Sequence, residues 1–517
     1  MALFPRSSGI LLHPTSLPGR FGVGDLGEWA YRLVDYLHNA GQSIWQILPL
    51  GPTGFGESPY QALSSFAGNT NLISLDEIVK EGWLKSAELE NIPYFSGRRV
   101  DFPLVIKYHD EMLSLAYDRF VNQGLAEQKQ DFEAWRAENA FWLEDFALFI
   151  ALKEFHGGQP WVNWTEGEVY REKQALGAAW NMHACRIAEH RFRQWVFYRQ
   201  WERLKKHAND RGIQIIGDVP IYVAHDSCDV WVSPELFELD FAGHPIFIAG
   251  VPPDYFSSTG QRWGNPLYMW EEHRKTGYKW WITRVKMTFK LVDRVRIDHF
   301  RGFDRYHKIP ASRATAQGGR WVNGPKHEFF DALQAGLNEP LSNRIIAEDL
   351  GDDLGNAYAL RDAYDLPGMQ ILQFAFGGSR AEMERFQPDQ GVSNVVTYTG
   401  THDNNTILGW WYGESQEHHH EAMRQCFARM KAQREAEDRP VDGANVSEPN
   451  WQMIWIGMHS AAHTFVVPLQ DVLGLGASAR MNRPGVPAGN WLWRCTEGEL
   501  ENAPWERLRK MVEESER

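Results

Sequence analysis

The sequence predicts an α/β fold, a closed (β/α)8 TIM barrel carrying inserted, mostly helical subdomains. Three observations lead to it. Eight short apolar runs, near positions 10, 46, 215, 296, 346, 372, 396 and 466, alternate with helical patterns. Such alternation implies a parallel sheet, and eight strands close most economically into a barrel. Asp218, Asp298, Glu348 and Asp403 fall at the carboxyl ends of four of these runs, where barrels of this kind gather their chemistry. The chain has 517 residues, 43% of them hydrophobic, enough for one large barrel with insertions.

Taken in order, Ser8–Leu12 is a first strand bounded by Gly and Pro. A helical pattern over Leu26–Ala40 stops at Gly41, a residue suited to the left-handed turn that ends helices. Ser43–Leu50 is the second strand. The loop Gly51–Gln61 follows, irregular through its Gly and Pro content, with Ser58 and Tyr60 near its end; long loops after strand ends often carry binding groups. Residues from about 75 to 185 break the alternation, with helices over Leu115–Gln123 and Phe141–Phe155, and are expected to form an inserted helical subdomain.

Regularity returns with a helix over His190–Asn209 and a strand over Ile213–Pro220 that carries Asp218. The stretch Gly250–Tyr268, rich in Gly, Pro and aromatic residues, is expected to be a loop over the active site, either a lid hinged at its glycines or a rigid excursion. A helix-like run Trp280–Asp293 precedes the strand that opens Val295–Phe303. Asn343–Gly351 ends in Glu348 and Asp349, which must face opposite sides, so at most one enters a shared site. Gly368–Phe376 reads as the next strand, Asn394–Asn404 as the one that delivers His402 and Asp403, and Thr464–Gln470 as the last. Residues 413–450 are polar, exposed helix and loop, and Ala479–Gly485 leads into a short helical tail. The span 1–517 is thus expected to be a single catalytic barrel domain.

Composition excludes several classes. A net charge of −14 opposes nucleic-acid binding, which favours a basic face. No run approaches the ~20 apolar residues of a membrane span, and Gly9–Leu12, ended by His13 and Pro14, is too short for a signal peptide. Cys185, Cys228, Cys426 and Cys495 lie far apart without CxxC spacing, so a reducing, cytoplasmic setting is expected. The chain is rich in aromatics, with 23 Trp, 17 Tyr and 28 Phe. Core packing accounts for most tryptophans in most proteins, but many here stand beside Gly, Pro and Asn, where flat rings also suit the apolar faces of sugars.

The chemistry centres on Val295–Phe303. Arg296 and Asp298 share one face of a buried strand, a costly placement unless the charges satisfy each other. A guanidinium on that face favours the anionic form of a carboxylate, as a carboxylate nucleophile requires; a purely structural ion pair would look the same. Carboxylates with an Arg and His402, without a Cys nucleophile, phosphate loop or dinucleotide fingerprint, leave two options. One is retaining glycoside chemistry, with a nucleophile and an acid ~5–5.5 Å apart. The other is a divalent-metal site. Arg296 would repel a cation. His418–His420 lies in a polar stretch, and His459 and His463 precede the last strand, at the wrong end of it for a site.

Arg296–Phe303, Ala347–Gly351 and Thr399–Asn404 resemble three core regions of the α-amylase clan. Further stretches, His13–Pro18, Gly51–Gly54 with Ser58–Gln61, Gly217–Tyr222, Gly250–Tyr268 and Arg480–Gly485, are similar to the 4-α-glucanotransferases of glycoside hydrolase family 77, called amylomaltases or disproportionating enzymes. The resemblance runs from about Gly9 to Arg494. It implies a barrel without a separate C-terminal β-domain, no cofactor and no metal, and α-1,4-glucans and maltooligosaccharides as donor and acceptor. It also implies roles: Asp298 the nucleophile, Glu348 the general acid and then base, Asp403 the stabiliser of the oxocarbenium-like state. Arg296 would keep Asp298 charged, and His402, Asp218, Ser58 and Tyr60 would hold the transferred sugar. Gln261, Trp263 and Asn482 would line the acceptor or neighbouring subsites. An α-1,4-glucan hydrolase on the same scaffold is the alternative. Oligomeric state is not legible.

Overall fold

The computed structural model describes residues 5–253, 258–351, 354–389 and 391–517. The barrel strands are β1 (Ser7–Leu11), β2 (Ile44–Gln46), β3 (Gln214–Pro220), β4 (Arg294–Asp298), β5 (Ile345–Ala347), β6 (Gly368–Ile371), β7 (Val395–Tyr398) and β8 (Thr464–Pro468). They form one eight-stranded sheet in the order β6-β7-β8-β1-β2-β3-β4-β5, and every pairing is parallel. The Ala347 N–H donates to the Pro367 carbonyl at 2.9 Å, tying the β5 edge to the chain entering β6 and bringing the sheet round into a barrel. β1 and β8 are buried along their whole length, as strands covered on both faces must be.

All eight runs read from the sequence are strands, but not all keep their expected length. Gly368–Phe376 is a strand only to Ile371, and a helix over Leu372–Gly377 begins at once. Leu372, Ala375 and Phe376 are buried at i, i+3, i+4 spacing, the helical reading of a short apolar run that periodicity cannot separate from a strand.

The inserted helices lie between β2 and β3 and are longer than expected, spanning Phe102–Gln123 and Ala126–Phe155, with shorter ones at Leu75–Lys80, Glu166–Val169 and Lys173–Met182. The first long helix starts early because Asp101 caps it, accepting from the Leu104 N–H at 3.2 Å, with Pro103 in its first turn. These helices share the barrel's hydrophobic core: Phe120, Phe149 and Leu152 belong to the same buried cluster as Ile10 and Val466. The helix ending at the barrel runs over Ala184–Asp210, starting before the expected His190.

The stretch 250–268 is not the plain loop expected. Gln261–Pro266 pairs antiparallel with Phe247–Val251, which also pairs with Arg305–Pro310; Arg320–Asn323 completes a four-stranded antiparallel sheet. Residues 254–257 of that stretch lie outside the described residues. Because Arg305–Pro310 follows closely on β4, the small sheet is rooted at the carboxyl end of the barrel.

Gly9 of β1 stands opposite Ile44 of β2. A Cβ at Gly9 would lie 2.3 Å from the Ile44 carbonyl oxygen, so the close approach of these strands requires glycine. Gly9→Ala should destabilise the fold by about 1–3 kcal/mol through overpacking, read as a lowered thermal midpoint; an unchanged midpoint would show that the strands can separate freely.

Candidate active site

Arg296 and Asp218 are cross-strand neighbours, since β3 and β4 pair with Asp218 opposite Arg296. The buried guanidinium donates 2.7 Å bonds to Asp218 Oδ2 and to Asp298 Oδ1. Burial works to lower the Arg296 pKa, but the two carboxylates outweigh it and raise it well above its ordinary value. Burial pushes Asp218 up to about 7, Arg296 pulls it back, and Asp298 adds to the rise. The Tyr60 hydroxyl donates to Asp218 Oδ2 at 2.8 Å. Its ring stacks on His402 with centroids 4.9 Å apart. Burial lowers the His402 pKa, with Asp403 opposing, so that ring stays neutral at pH 7.

Glu348 sits at the end of β5, pinned to the turn after β4. The His299 N–H, the amide directly after Asp298, donates to Glu348 Oε2 at 2.7 Å, and the Leu350 N–H donates to Oε1 at 2.8 Å. Backbone bonds from Glu348 N to Ile297 O at 3.0 Å and from Phe300 N to Glu348 O at 3.1 Å complete the tether. His299 takes left-handed backbone angles, φ 52°, which turn the chain sharply after Asp298. Burial pushes the Glu348 carboxyl up to about 7; Arg296 opposes this and Asp298 reinforces it. Asp349 points the other way, as strand alternation requires, pairing with Arg361 and accepting from the Met369 N–H at 2.8 Å.

Asp403 is the most open of the set. Its Oδ1 accepts from Asn482 Nδ2 at 2.6 Å, and its carbonyl accepts from Arg480 at 2.6 Å. Trp263 donates to Gln261 Oε1 at 3.1 Å and meets His299 edge-on at 4.8 Å. Ser58 Oγ accepts from the Tyr60 N–H at 3.2 Å, fixing the turn that presents Tyr60.

All the residues singled out in the sequence except Asp218 line one cleft of about 800 Å³ at the carboxyl ends of the strands. Asp218 lies behind it, reached through Tyr60 and Arg296. Sequence reasoning missed His299, Arg480 and Trp491. His299 was adjacent to Asp298 and Arg480 stood in a quoted motif, so both had a positional signal. Trp491, which lines the cleft and lies 5.8 Å from both Tyr60 and His402, had only its place after Gly489 and Asn490. His420, expected to be solvated, instead stacks on Trp411 at 3.7 Å. Among the described residues no three His, Cys, Asp or Glu side chains group as a metal site would need.

Replacing Arg296 by Met leaves Asp218 buried without its cation. Breaking a buried pair in this way costs about 3–5 kcal/mol, so calorimetry should show a clear fall in the thermal midpoint. Adding Asp218→Asn, which removes the orphaned charge, should recover part of it; equal midpoints for wild type and Arg296→Met would contradict the pairing.

The chain as a whole has relatives among known proteins. The family model described as 4-alpha-glucanotransferase matches residues 12–500. The 4-alpha-glucanotransferase of Thermus thermophilus is 47% identical over 515 residues, covering 99% of each chain. The chloroplastic/amyloplastic 4-alpha-glucanotransferase of Solanum tuberosum is 40% identical over 496 residues, 95% of this chain and 82% of that one. Among solved structures, the amylomaltase from Streptococcus agalactiae in complex with acarbose superposes with a TM-score of 0.90 at 35% identity, covering 99% of both chains. The match runs along nearly the whole length of the chain, and the chain belongs to the 4-alpha-glucanotransferase family of enzymes.

Proposed function

We propose that this enzyme transfers α-1,4-glucan segments between maltooligosaccharides, or starch-type glucans, by a retaining double displacement. The observation that carries the reading is the 2.7 Å bond from the amide after Asp298 to Glu348. It ties the two carboxyl groups to one turn, and a retaining pair must flank the same bond. In the first step an Asp298 oxygen bonds to the anomeric carbon while the glycosidic C–O bond breaks, and Glu348 gives its proton to the leaving oxygen. In the second, the acceptor's 4-hydroxyl returns a proton to Glu348 and its oxygen displaces Asp298, restoring the original anomer.

The rest of the cleft takes supporting roles. Asp403, oriented by Asn482, grips ring hydroxyls and stabilises the oxocarbenium-like transition state. Arg296 fixes Asp298 through its 2.7 Å bond to Oδ1. Tyr60, His402 and Ser58 hold the transferred sugar, Asp218 acts from behind them by fixing the Tyr60 hydroxyl, and Gln261, Trp263 and Asn482 line the acceptor side. A site at a barrel mouth walled by aromatics disfavours water against a sugar that can stack, which supports transfer over hydrolysis. A cytoplasmic location is part of the proposal, supported by four free cysteines; among the described residues no helix is long and apolar enough to cross a membrane.

Incubation with maltotriose should give glucose and a ladder of longer oligosaccharides. Maltose and glucose alone would mean that water, not sugar, intercepts the intermediate. Asp298→Asn should fold normally and lose more than about 100-fold in turnover; a variant above that level would remove Asp298 from the role of nucleophile. Because Glu348 must be protonated to act and its pKa is pushed up to about 7, kcat/KM should fall as pH rises through that value, approaching about tenfold per unit. A flat profile from pH 6 to 9 would contradict the assignment of the acid.

A further inference from the structure

Thr399 follows β7 directly, and Ile407 begins the helix Ile407–Gly413. Between them runs the loop that carries His402 and Asp403. Asp403 lies beyond the end of β7, and although Arg480 and Asn482 bond to it directly, the two ends of the loop also need an anchor on the barrel. Asp471, in the helical turn Leu469–Val472 just after β8, bonds to both ends. Its Oδ2 accepts from the Thr399 hydroxyl at 2.8 Å and its Oδ1 accepts from the Ile407 N–H at 2.7 Å. The Asp471 residue is only 2% exposed, and its carbonyl accepts from Asn450 Nδ2 at 2.9 Å, so the clamp is itself anchored.

We propose that Asp471 is a positioning residue for the transfer reaction. By holding both ends of the loop with the two oxygens of one buried carboxyl group, it fixes where Asp403 meets the substrate. The proposal rests on the role given to Asp403 above. Asp471 does not line the cleft with Asp298 and Glu348 and touches no reacting atom. The loop has further ties: Asn404 Oδ1 accepts from the Thr401 N–H at 2.8 Å, Gln373 Nε2 donates to Asn405 O at 2.8 Å, and Asp403 itself accepts from Asn482 and Arg480 at 2.6 Å. These fix its interior, whereas Asp471 sets its span and joins it to the neighbouring strand. An interaction that places a group acting in the transition state lowers kcat when lost and leaves KM little changed.

The test compares maltotriose kinetics of Asp471→Ala, Asp471→Asn, Thr399→Val and Asp403→Asn, and of Asp471→Ala combined with Asp403→Asn. Asp471→Ala removes both acceptors, and kcat should fall about ten- to a hundredfold, the scale expected of a misplacement near 1 Å, with KM within about twofold. Asp471→Asn keeps an acceptor for Ile407 and a polar partner for Thr399, so it should restore most of kcat. In the Asp403→Asn background, Asp471→Ala should cost nothing further, because residues that act through one another are not additive. An unchanged kcat in Asp471→Ala, or the same loss in both backgrounds, would overturn the proposal. If Asp403→Asn alone keeps wild-type kcat, the reading of Asp403 fails and takes the positioning role with it, a result distinct from additivity. Should Asp471→Ala fail to fold, Thr399→Val, which removes one arm of the clamp, carries the comparison; wild-type kcat there would equally overturn it.

Discussion

The site depends on one buried cation. Arg296 lies inside the barrel wall, its charge met by Asp218 across the sheet and Asp298 along its own strand. Such an arrangement is expensive in desolvation and holds together only when the hydrogen bonds are well made. Its consequences spread outward. Asp218, held by Arg296, orients the Tyr60 hydroxyl; Tyr60 stacks on His402; and His402 stands beside Asp403, 3.4 Å from its Oδ1. A pairing set by the register of two strands thus reaches the rim of the cleft.

The second constraint is backbone rather than charge. Glu348 and Asp298 stand on adjacent strands of the sheet, and amides flanking each residue cross-link the two ends. Two carboxyl groups in one cleft need different surroundings to serve opposite functions. Here Asp298 receives the guanidinium, while Glu348, surrounded by protein, is driven up to about 7 by burial. Backbone N–H donors fix the Glu348 oxygens without supplying a full positive charge, so the side chain is held in place and still titrates near neutrality.

Much of this was legible in the sequence. Strand positions stood out because β-branched runs alternate with amphipathic helices. The carboxylates stood out because Asp218, Asp298, Glu348 and Asp403 end such runs. Three things were not legible. The run after Gly368 changes from strand to helix within an unbroken apolar segment, where period alone does not discriminate. The small antiparallel sheet joins 247–251, 261–266, 305–310 and 320–323, and its strands are short and rich in Gly, Pro and charge. The approach of Trp491 to Tyr60 depends on how the chain returns from beyond β8, which no local pattern encodes. Which carboxylate is the acid came from family resemblance; spacing could not supply it.

The proposed double displacement requires Asp298 to become covalently bound to sugar. The most direct measurement is mass spectrometry of proteolysed Glu348→Gln enzyme after incubation with a maltooligosaccharide donor whose leaving group departs without acid assistance. A glycosyl mass increment is expected on the peptide containing Asp298 and on no other. Donor consumption with the increment on another carboxylate, or with none on any trapped peptide, would contradict the double displacement.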